Sequence, residues 1–363
     1  MDIKEVLHVG VGRCGNNIVN DIMSKDSRYA GFMINTAKAD MVNLSNYKRA
    51  GSFPIPHANG SGGDREVAAN YANYNLKAIA DKFIEYNHYR MFNVYFSADG
   101  GTGSGASPVI IRAIKRVMPK APVIAVVVFP GLFSSTEALR NTLDCWDDLM
   151  ELREEKLLAG IRIVDNSRRE TIVEINEEIV KYLDMTFKLD TYCDDGTLDD
   201  RDIRKFLSIS EDYHMTLILD KECENLKDAI AKATKESVFL TPSSFDCEYL
   251  GILTNGGWVS TEEARKVFHA FGDAKVGTSH TKNKKNPDVN VLIATGLPIP
   301  VARIEELGVA LEDLENNNRK RVKDASLFMN RNKRNKDKSK LAVVEVSFTV
   351  NDIDDLFDED DWS

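Results

Sequence analysis

One glycine-rich segment limits the fold of this chain more than any other feature: Asp99-Gly100-Gly101-Thr102-Gly103-Ser104-Gly105. It follows an apolar run at 92–96 that is typical of a buried strand, and it precedes apolar residues at helical spacing over 109–117. Glycines between a strand and a helix expose backbone N–H groups, and the first helical turn adds partial positive charge. The segment therefore predicts a phosphate-binding loop. A flexible Gly/Ser linker is the weaker interpretation, because such linkers seldom separate two apolar elements.

The segment is not a Walker-type phosphate loop. That loop needs a lysine after its glycines to reach the outer phosphates, and none follows here. The hydroxyl groups of Thr102 and Ser104 must therefore bind phosphate together with the backbone. The carboxylate of Asp99 should repel phosphate unless it turns away or helps to hold a hydrated cation.

Length and composition restrict the class of protein. The chain has 363 residues, enough for two domains with apolar cores. Its net charge of −10 argues against a protein that coats nucleic acid directly. No apolar run approaches the roughly 20 residues of a membrane span. Five cysteines without metal or disulfide spacing, and no signal peptide, predict a reducing cytoplasm.

The first half of the chain alternates predicted strands and helices, which predicts a parallel sheet covered on both faces. In such sheets ligands bind beyond the carboxyl ends of the strands. Polar or glycine-rich loops occur at those ends, at 10–15, 35–36, 60–63, 99–105, 130–131 and 165–166. Because the carboxyl ends of parallel strands share one edge, these loops predict a single ligand site.

A dinucleotide site is the alternative that the first loop suggests. Gly10-x-Gly12-x-x-Gly15 matches the dinucleotide fingerprint after a strand. Enzymes that bind NAD also need an acidic residue at the end of the second strand for the ribose hydroxyls. Here that strand ends in Asn35-Thr36, and Asp40 lies several residues further on, which disfavours this alternative.

The order Gly-Gly-Thr-Gly-Ser-Gly resembles the signature loop of the tubulin/FtsZ superfamily, with Asp99 where the family has a third leading glycine. Residues 8–17, 34–40, 60–66 and 135–139 resemble further nucleotide loops of that superfamily, and the resemblance covers about residues 5–315. Within it, the chain resembles phage and plasmid tubulins of the TubZ type, with the PhuZ group next.

The resemblance implies an α/β, tubulin/FtsZ-like fold with a Rossmann-like parallel-sheet GTPase domain, a central helix and a smaller α+β second domain. The expected boundaries are 1–168 for the GTP-binding domain, 169–195 for the central helix, 196–300 for the activation domain with the catalytic loop, and 301–363 for the C-terminal helix and charged tail.

The resemblance also implies GTP/GDP as ligand, with Mg²⁺ held mainly through phosphate and water and no metal ligand from the protein. Within it, Glu137 is the expected acceptor of a ribose hydroxyl, Asn166 reads the base edge, and Asn176 lies near the base. The full set of implied nucleotide-binding residues is Gly12, Arg13, Cys14, Gly15, Asn16, Asn35, Gly62, Gly63, Gly100, Gly101, Thr102, Gly103, Ser104, Gly105, Glu137, Asn141, Asn166 and Asn176.

Asp199 and Asp202 are the candidate catalytic residues. Acidic residues in the first turn of a helix also have a purely structural explanation, because they offset the helix dipole. By resemblance, however, this loop reaches the nucleotide of a neighbouring subunit, and an Asp-x-x-Asp pair activates the attacking water. The family has Asn where Thr197 stands, so water positioning is expected to differ.

A protein of this type would be a GTPase that polymerises head to tail and positions plasmid or phage DNA in the bacterial cytoplasm. Its partners would be further copies of itself and a DNA-binding adaptor at the C-terminal region, with no direct contact to nucleic acid and no membrane.

The acidic, aromatic end at 352–363 is either a solvated tail or a docking peptide. The alternatives are an FtsZ-like division filament, a phage-centring filament and a non-polymerising nucleotide-binding regulator. The terminal peptide by which FtsZ chains bind membrane anchors is not recognisable here.

Overall fold

The computed structural model describes residues 3–188, 195–196, 200–208, 212–255, 262–263, 266, 275–281 and 290–336. The chain divides into two compact units, Met1–Glu312 and Asp313–Ser363. Within the second unit, residues 313–336 are described and are helical. Asp199, most of the helix expected from residue 262, and the tail beyond 336 lie outside the described residues.

The described residues include eleven strands that form one sheet. The strands are β1 (Val6–Val11), β2 (Ala30–Asn35), β3 (Ser52–Pro54), β4 (Met91–Ser97), β5 (Val123–Phe129), β6 (Gly160–Asp165), β7 (Asp195–Gly196), β8 (Tyr213–Leu219), β9 (Tyr249–Asn255), β10 (Lys275–Thr281) and β11 (Asn290–Leu297). Their order across the sheet is β3-β2-β1-β4-β5-β6-β8-β11-β9-β10-β7.

The six strands from β3 to β6 in this order pair in parallel, as the alternation of strands and helices predicts. Their apolar side chains are almost all buried, which is typical of a parallel sheet covered on both faces. Val9 pairs with both Phe32 and Val94, so β1, β2 and β4 end at the same edge of the sheet. This register brings the loops that follow them together.

The remaining strands form a mixed region. β11 runs antiparallel to both β8 and β9, whereas β9 and β10 are parallel. The mixed and parallel regions are joined where Ile161 of β6 pairs with Tyr213 of β8 and where Val164 of β6 pairs with Phe239. The expected α/β fold with a smaller mixed second part is confirmed.

The helices are α1 (Gly12–Lys25), α2 (Ala39–Val42), α3 (Arg65–Tyr74), α4 (Leu76–Ile84), α5 (Gly101–Val117), α6 (Thr136–Glu154), α7 (Ile172–Phe187), α8 (Asp200–Phe206), α9 (Leu226–Glu236) and α10 (Val301–Lys336). Short 3-10 helices occur at Ile3–Glu5 and Asn166–Arg168. None of these helices combines the length and apolar character that crossing a bilayer requires.

Two helix boundaries differ from the sequence pattern. The pattern at 64–89 predicts one long helix, but the chain forms α3 and α4 with a break at Asn75. The amide of Asn75 donates to the carbonyl oxygens of Pro56 and Tyr71, so its side chain competes with the helical hydrogen bonds. In addition, α10 continues through the basic stretch after residue 318.

The predicted central helix is α7, which starts at a capping box formed by Thr171 and Glu174. Its buried face carries polar contacts as well as apolar ones. The hydroxyl of Tyr29 donates to Asp184 at 2.8 Å, and Lys188 Nζ lies 2.6 Å from the same carboxylate. These contacts fix the end of α7 beside the loop that precedes β2.

Candidate functional site

The loops at the carboxyl edge of the parallel strands enclose a cavity of about 700 Å³. It is lined by many of the residues expected to bind a nucleotide, namely Gly12, Arg13, Cys14, Asn35, Gly62, Gly63, Gly100, Gly101, Thr102, Gly103 and Asn166. The fold therefore brings loops that are distant in the sequence to one site.

Two glycine loops form the floor of the cavity by close backbone contact. Gly12 has a φ of +71°, and a Cβ built on it would lie 2.9 Å from the backbone nitrogen of Gly103. An L-residue is strained in that conformation, and a side chain would separate the loops. Glycine at position 12 is thus required by both backbone conformation and space.

Thr102 joins three of the loops. Its Oγ1 lies 2.6 Å from Oγ1 of Thr36 and 3.4 Å from Oγ of Ser61. Since these hydroxyl groups all belong to residues that line the cavity, they form a cluster of hydrogen-bonding groups at its wall. By contrast, the hydroxyl of Ser104 donates to the carbonyl of Gly100 and does not line the cavity.

Three other expected residues lie behind the cavity. Asn16 is buried and donates from Nδ2 to the carbonyl of Ile34 at 3.2 Å. A Cβ on Gly15 would overlap the carbonyl oxygen of Tyr95, and a Cβ on Gly105 would overlap that of Arg65. These positions permit α1 and α5 to pack closely against neighbouring backbone, which holds the loops in place.

Asn141 on α6 connects two of the lining loops. Its Nδ2 donates to the carbonyl of Gly63 at 2.9 Å and to that of Asp99 at 3.0 Å. Glu137, also on α6, lies beside the same loop, because a Cβ on Gly63 would be 2.8 Å from its Oε1. Asn176 is buried in α7. None of the three side chains lines the cavity.

Charge in the cavity is not complementary to a bare polyphosphate. Arg13 is the one cationic side chain among the described residues that line it, whereas Asp40 and Asp99 contribute carboxylates. The hydroxyl of Ser97 donates to Asp99, which forms no ion pair with any described residue. Burial, followed by the charge of Asp99, raises the pKa of the Cys14 thiol to about 12, so the thiol stays protonated.

Asn166 and Ile172 line another part of the cavity wall. Asn166 begins the 3-10 helix that follows β6, and its Oδ1 is buried without a hydrogen-bond partner in the protein. An unsatisfied buried acceptor calls for a donor from a ligand or solvent. The helical spacing of apolar residues from Ile172 to Phe187 predicts that Ile172 shares their buried face, but it is 63% exposed. Ser97 and Ile172 line the cavity but lie outside every loop that the sequence singled out.

Asp202 lies near the amino end of β1, at the opposite edge of the sheet from this cavity. It belongs to α8, and Arg204 of that helix pairs with Glu5 at 2.7 Å. Glu5 precedes β1, whereas the cavity begins at Gly12 after β1. Six residues of strand separate the two ends by roughly 20 Å at about 3.3 Å per residue. Asp202 therefore does not contact the cavity of its own chain.

No group of three or more His, Cys, Asp or Glu side chains within the described ranges has the arrangement of a metal site. The oxygen donors at the cavity include the Asp99 and Asp40 carboxylates and the hydroxyl cluster around Thr102. Such hard oxygen ligands suit a hydrated divalent cation that is also bound by a ligand's phosphates.

Comparison with known sequences agrees with this geometry. Residues 5–158 match the Tubulin/FtsZ family, GTPase domain. The chain is 27% identical over 311 residues to the tubulin-like protein TubZ of Clostridium botulinum C phage, an alignment covering 85% of this chain and 84% of that protein.

Solved structures show the same fold. The crystal structure of Clostridium botulinum phage c-st TubZ has a TM-score of 0.76 at 26% identity, covering 86% of this chain and 99% of that one. A GTPγS-form protofilament of TubZ from Bacillus thuringiensis serovar israelensis has a TM-score of 0.76 at 18% identity, covering 88% and 94%. A structure described as type III plasmid segregation TubZ has a TM-score of 0.69 at 18% identity, covering 86% and 92%. The resemblance predicted from the motifs is confirmed: the chain has the tubulin/FtsZ fold, and its residues 5–158 match the GTPase domain of the tubulin/FtsZ family.

Proposed function

We propose that this protein is a GTPase that assembles head to tail, with each hydrolysis site shared by two subunits. One observation carries the proposal: the cavity and the helix bearing Asp202 occupy opposite ends of β1. A carboxylate that its own cavity cannot use becomes available to a cavity on another copy. Stacking copies along the direction of β1 brings the two together, and a head-to-tail contact repeated along one axis builds a filament.

The ligand that the cavity fits is a guanine nucleotide. The loop at 100–103 offers backbone N–H groups and the start of α5 to the phosphates. Asn166 Oδ1 has no protein donor, and the N–H groups of a guanine edge supply one. The match to a GTPase domain and the GTPγS-form relative support the same nucleotide.

Mg²⁺ would be held at this cavity mainly by phosphate and water, with the Asp99 carboxylate and the Thr102 hydroxyl as the nearest protein oxygens. When bound, the cation neutralises phosphate charge and polarises the phosphoryl group. Asp99 replaces a family glycine at the phosphate loop, so this chain adds a negative charge where the ligand is most negative. GTP binding should therefore depend on the cation more strongly than in a glycine version of the loop.

Asp99→Asn is expected to weaken that dependence. The ratio of the GTP Kd in EDTA to the Kd in Mg²⁺ should fall about tenfold, because the amide neither repels phosphate nor attracts the cation. Isothermal titration below the assembly concentration measures both constants. Asp81→Asn, at an exposed position on α4, is the matched control and should keep the wild-type ratio. Equal ratios in the wild type and Asp99→Asn would rule out the role assigned to Asp99.

Hydrolysis is assigned to the Asp202 carboxylate of one subunit and the cavity of the next. A carboxylate next to a bound phosphate orients the attacking water and accepts its proton. Asp199, its expected partner, is outside the described residues. Because neither half of the site acts alone, turnover should require contact between subunits.

GTP turnover and sedimentation, measured on the same samples across a range of protein concentrations, test this proposal. We expect turnover per subunit to rise steeply above a threshold concentration, at which protein also begins to pellet. A head-to-tail polymer has such a threshold because single subunits lack a complete site. Turnover proportional to protein concentration, with nothing in the pellet, would instead support the non-polymerising regulator.

The cargo that we propose is plasmid or phage DNA in a bacterial cytoplasm, bound through an adaptor at the C-terminal region. A relative described as type III plasmid segregation TubZ and the phage origin of another support this choice. The net charge of −10 favours an adaptor over direct DNA binding. Loss of the DNA element from otherwise normally dividing cells that lack the protein would distinguish segregation from a role in division.

A further inference from the structure

The first turn of α10 contacts the loops that follow the adjacent strands β5 and β6, and the loop after β6 carries Asn166. The guanidinium of Arg303 donates from one nitrogen, NH2, to the carbonyl of Pro130 at 3.3 Å and to Asp165 Oδ1 at 3.2 Å. The same nitrogen lies 3.4 Å from Ser167 Oγ. Pro130 follows β5, and Asp165 ends β6, so one side chain ties two adjacent loops of the cavity edge to α10.

Asp165 in turn sets the conformation of the turn that presents Asn166. Its Oδ1 accepts hydrogen bonds from the backbone N–H of Ser167 at 2.9 Å and from the Ser167 hydroxyl at 2.6 Å. The carboxylate thereby caps the 3-10 helix Asn166–Arg168. Arg303 places positive charge next to this buried carboxylate, since the two side chains are only 10% and 7% exposed, and Arg168 adds a longer contact of 3.9 Å to its other oxygen.

We infer that Arg303 is a positioning residue for base recognition, acting through Asp165 on Asn166. The inference rests on the proposed function, because it assumes that Asn166 reads a guanine edge. The partners of Arg303 in these loops are the Pro130 carbonyl, the Asp165 carboxylate and the Ser167 hydroxyl, and none of these residues lines the cavity. In this arrangement, base selectivity depends partly on a residue of α10, the helix that follows the strands of the sheet in the sequence.

A lysine at position 303 keeps the positive charge, but its ammonium group lacks the planar arrangement of N–H donors with which the guanidinium contacts both loops. Arg303→Lys is therefore the main test variant, and folding is checked by circular dichroism and thermal unfolding. The readout is the Kd ratio of ITP to GTP in Mg²⁺ below the assembly threshold, because ITP lacks the 2-amino group of guanine. We expect the ratio to fall about fivefold, the worth of one hydrogen bond, while the Kd for ITP changes less than about twofold.

Glu306→Gln is the matched control. Glu306 pairs with the other terminal nitrogen of the same guanidinium at 3.0 Å and is 57% exposed, but it contacts neither loop. We expect this variant to keep the wild-type ratio. The second control is Asn166→Ala, alone and combined with Arg303→Lys. If Arg303 acts through Asn166, the double variant has the ratio of Asn166→Ala alone.

The outcomes separate the two claims. If Asn166→Ala leaves the ITP to GTP ratio unchanged, the base-reading role in the proposed function is wrong. If Asn166→Ala lowers the ratio but Arg303→Lys does not, only the role of Arg303 is overturned. An equal loss of affinity for ITP and GTP in Arg303→Lys would likewise overturn it, because that result indicates a general structural role. If Arg303→Lys lowers the ratio by the same factor in the wild type and in the Asn166→Ala variant, the role of Arg303 is also overturned, because Arg303 then acts independently of Asn166.

Discussion

Asp202→Ala is expected to lower GTP turnover per assembled subunit by about 10²-fold or more, the usual contribution of a positioned general base. Nucleotide affinity of the unassembled protein should stay within about twofold of wild type, because sites this far apart act independently. Turnover should fall while affinity stays unchanged, because α8 and the cavity of the same chain lie at opposite ends of β1. Phosphate release from pelleted filaments and equilibrium GTP binding below threshold measure the two quantities.

Glu222→Ala is the control for this experiment, since Glu222 is an exposed carboxylate outside both halves of the proposed site. It should assemble and turn over GTP like wild type. Unchanged turnover in Asp202→Ala filaments would remove Asp202 from the chemistry. A large rise in the GTP Kd of the unassembled variant would place Asp202 in the site of its own chain and contradict the shared arrangement.

Gly103→Val is expected to abolish nucleotide binding, with a rise in the GTP Kd of at least about 10²-fold from loss of the phosphate contacts. A Cβ at Gly103 would lie 2.7 Å from the carbonyl oxygen of Ser97 and 3.1 Å from its nitrogen. These atoms belong to the backbone of β4, which cannot shift without displacing the neighbouring strands of the sheet. The loop must therefore shift away from the position in which it contacts Gly12 and the cavity.

Gly308→Val is the matched control, because a Cβ at Gly308 of α10 would meet no atom within 4 Å. Thermal unfolding of both variants checks that lost binding is not lost folding. GTP affinity of Gly103→Val close to that of the control would exclude the loop from the binding site. Mixing Gly103→Val with Asp202→Ala should restore turnover if the variants assemble together, since one retains Asp202 and the other retains an intact cavity.

Local chemistry was enough to predict the parallel half of the fold and the loops of the candidate site. The runs at 92–96 and 123–128 are apolar and short, so their strand character follows from composition and length alone. Glycine at 12 and 100–103 is needed for backbone conformation and close approach, properties that a sequence displays directly. Since parallel strands end at one edge, the convergence of the loops followed from connectivity.

Which side chains face the cavity depended on packing between distant elements. Thr102 and Ser104 lie two positions apart at the start of α5 and so point to different sides of the helix: Ser104 donates to the carbonyl of Gly100 one turn earlier, and the packing of α5 on the sheet decides that the side of Thr102 faces the cavity. Asn141 contacts the loops at Gly63 and Asp99 because α6 lies across both of them. Such orientations are set by contacts between residues far apart in sequence, which periodicity does not encode.

The sequence determined that this chain forms a tubulin/FtsZ-type sheet with a glycine-lined site at one edge, because strand period, helix period and glycine positions are local properties. The tertiary structure decided three things: the position of Asp202 beyond the opposite end of β1, the exposure of Ile172 at the cavity, and the bond from Arg303 to Asp165. Each depends on where α8, α7 and α10 pack on the sheet, and the buried surface and ion pairs that fix those positions exist only in the folded chain.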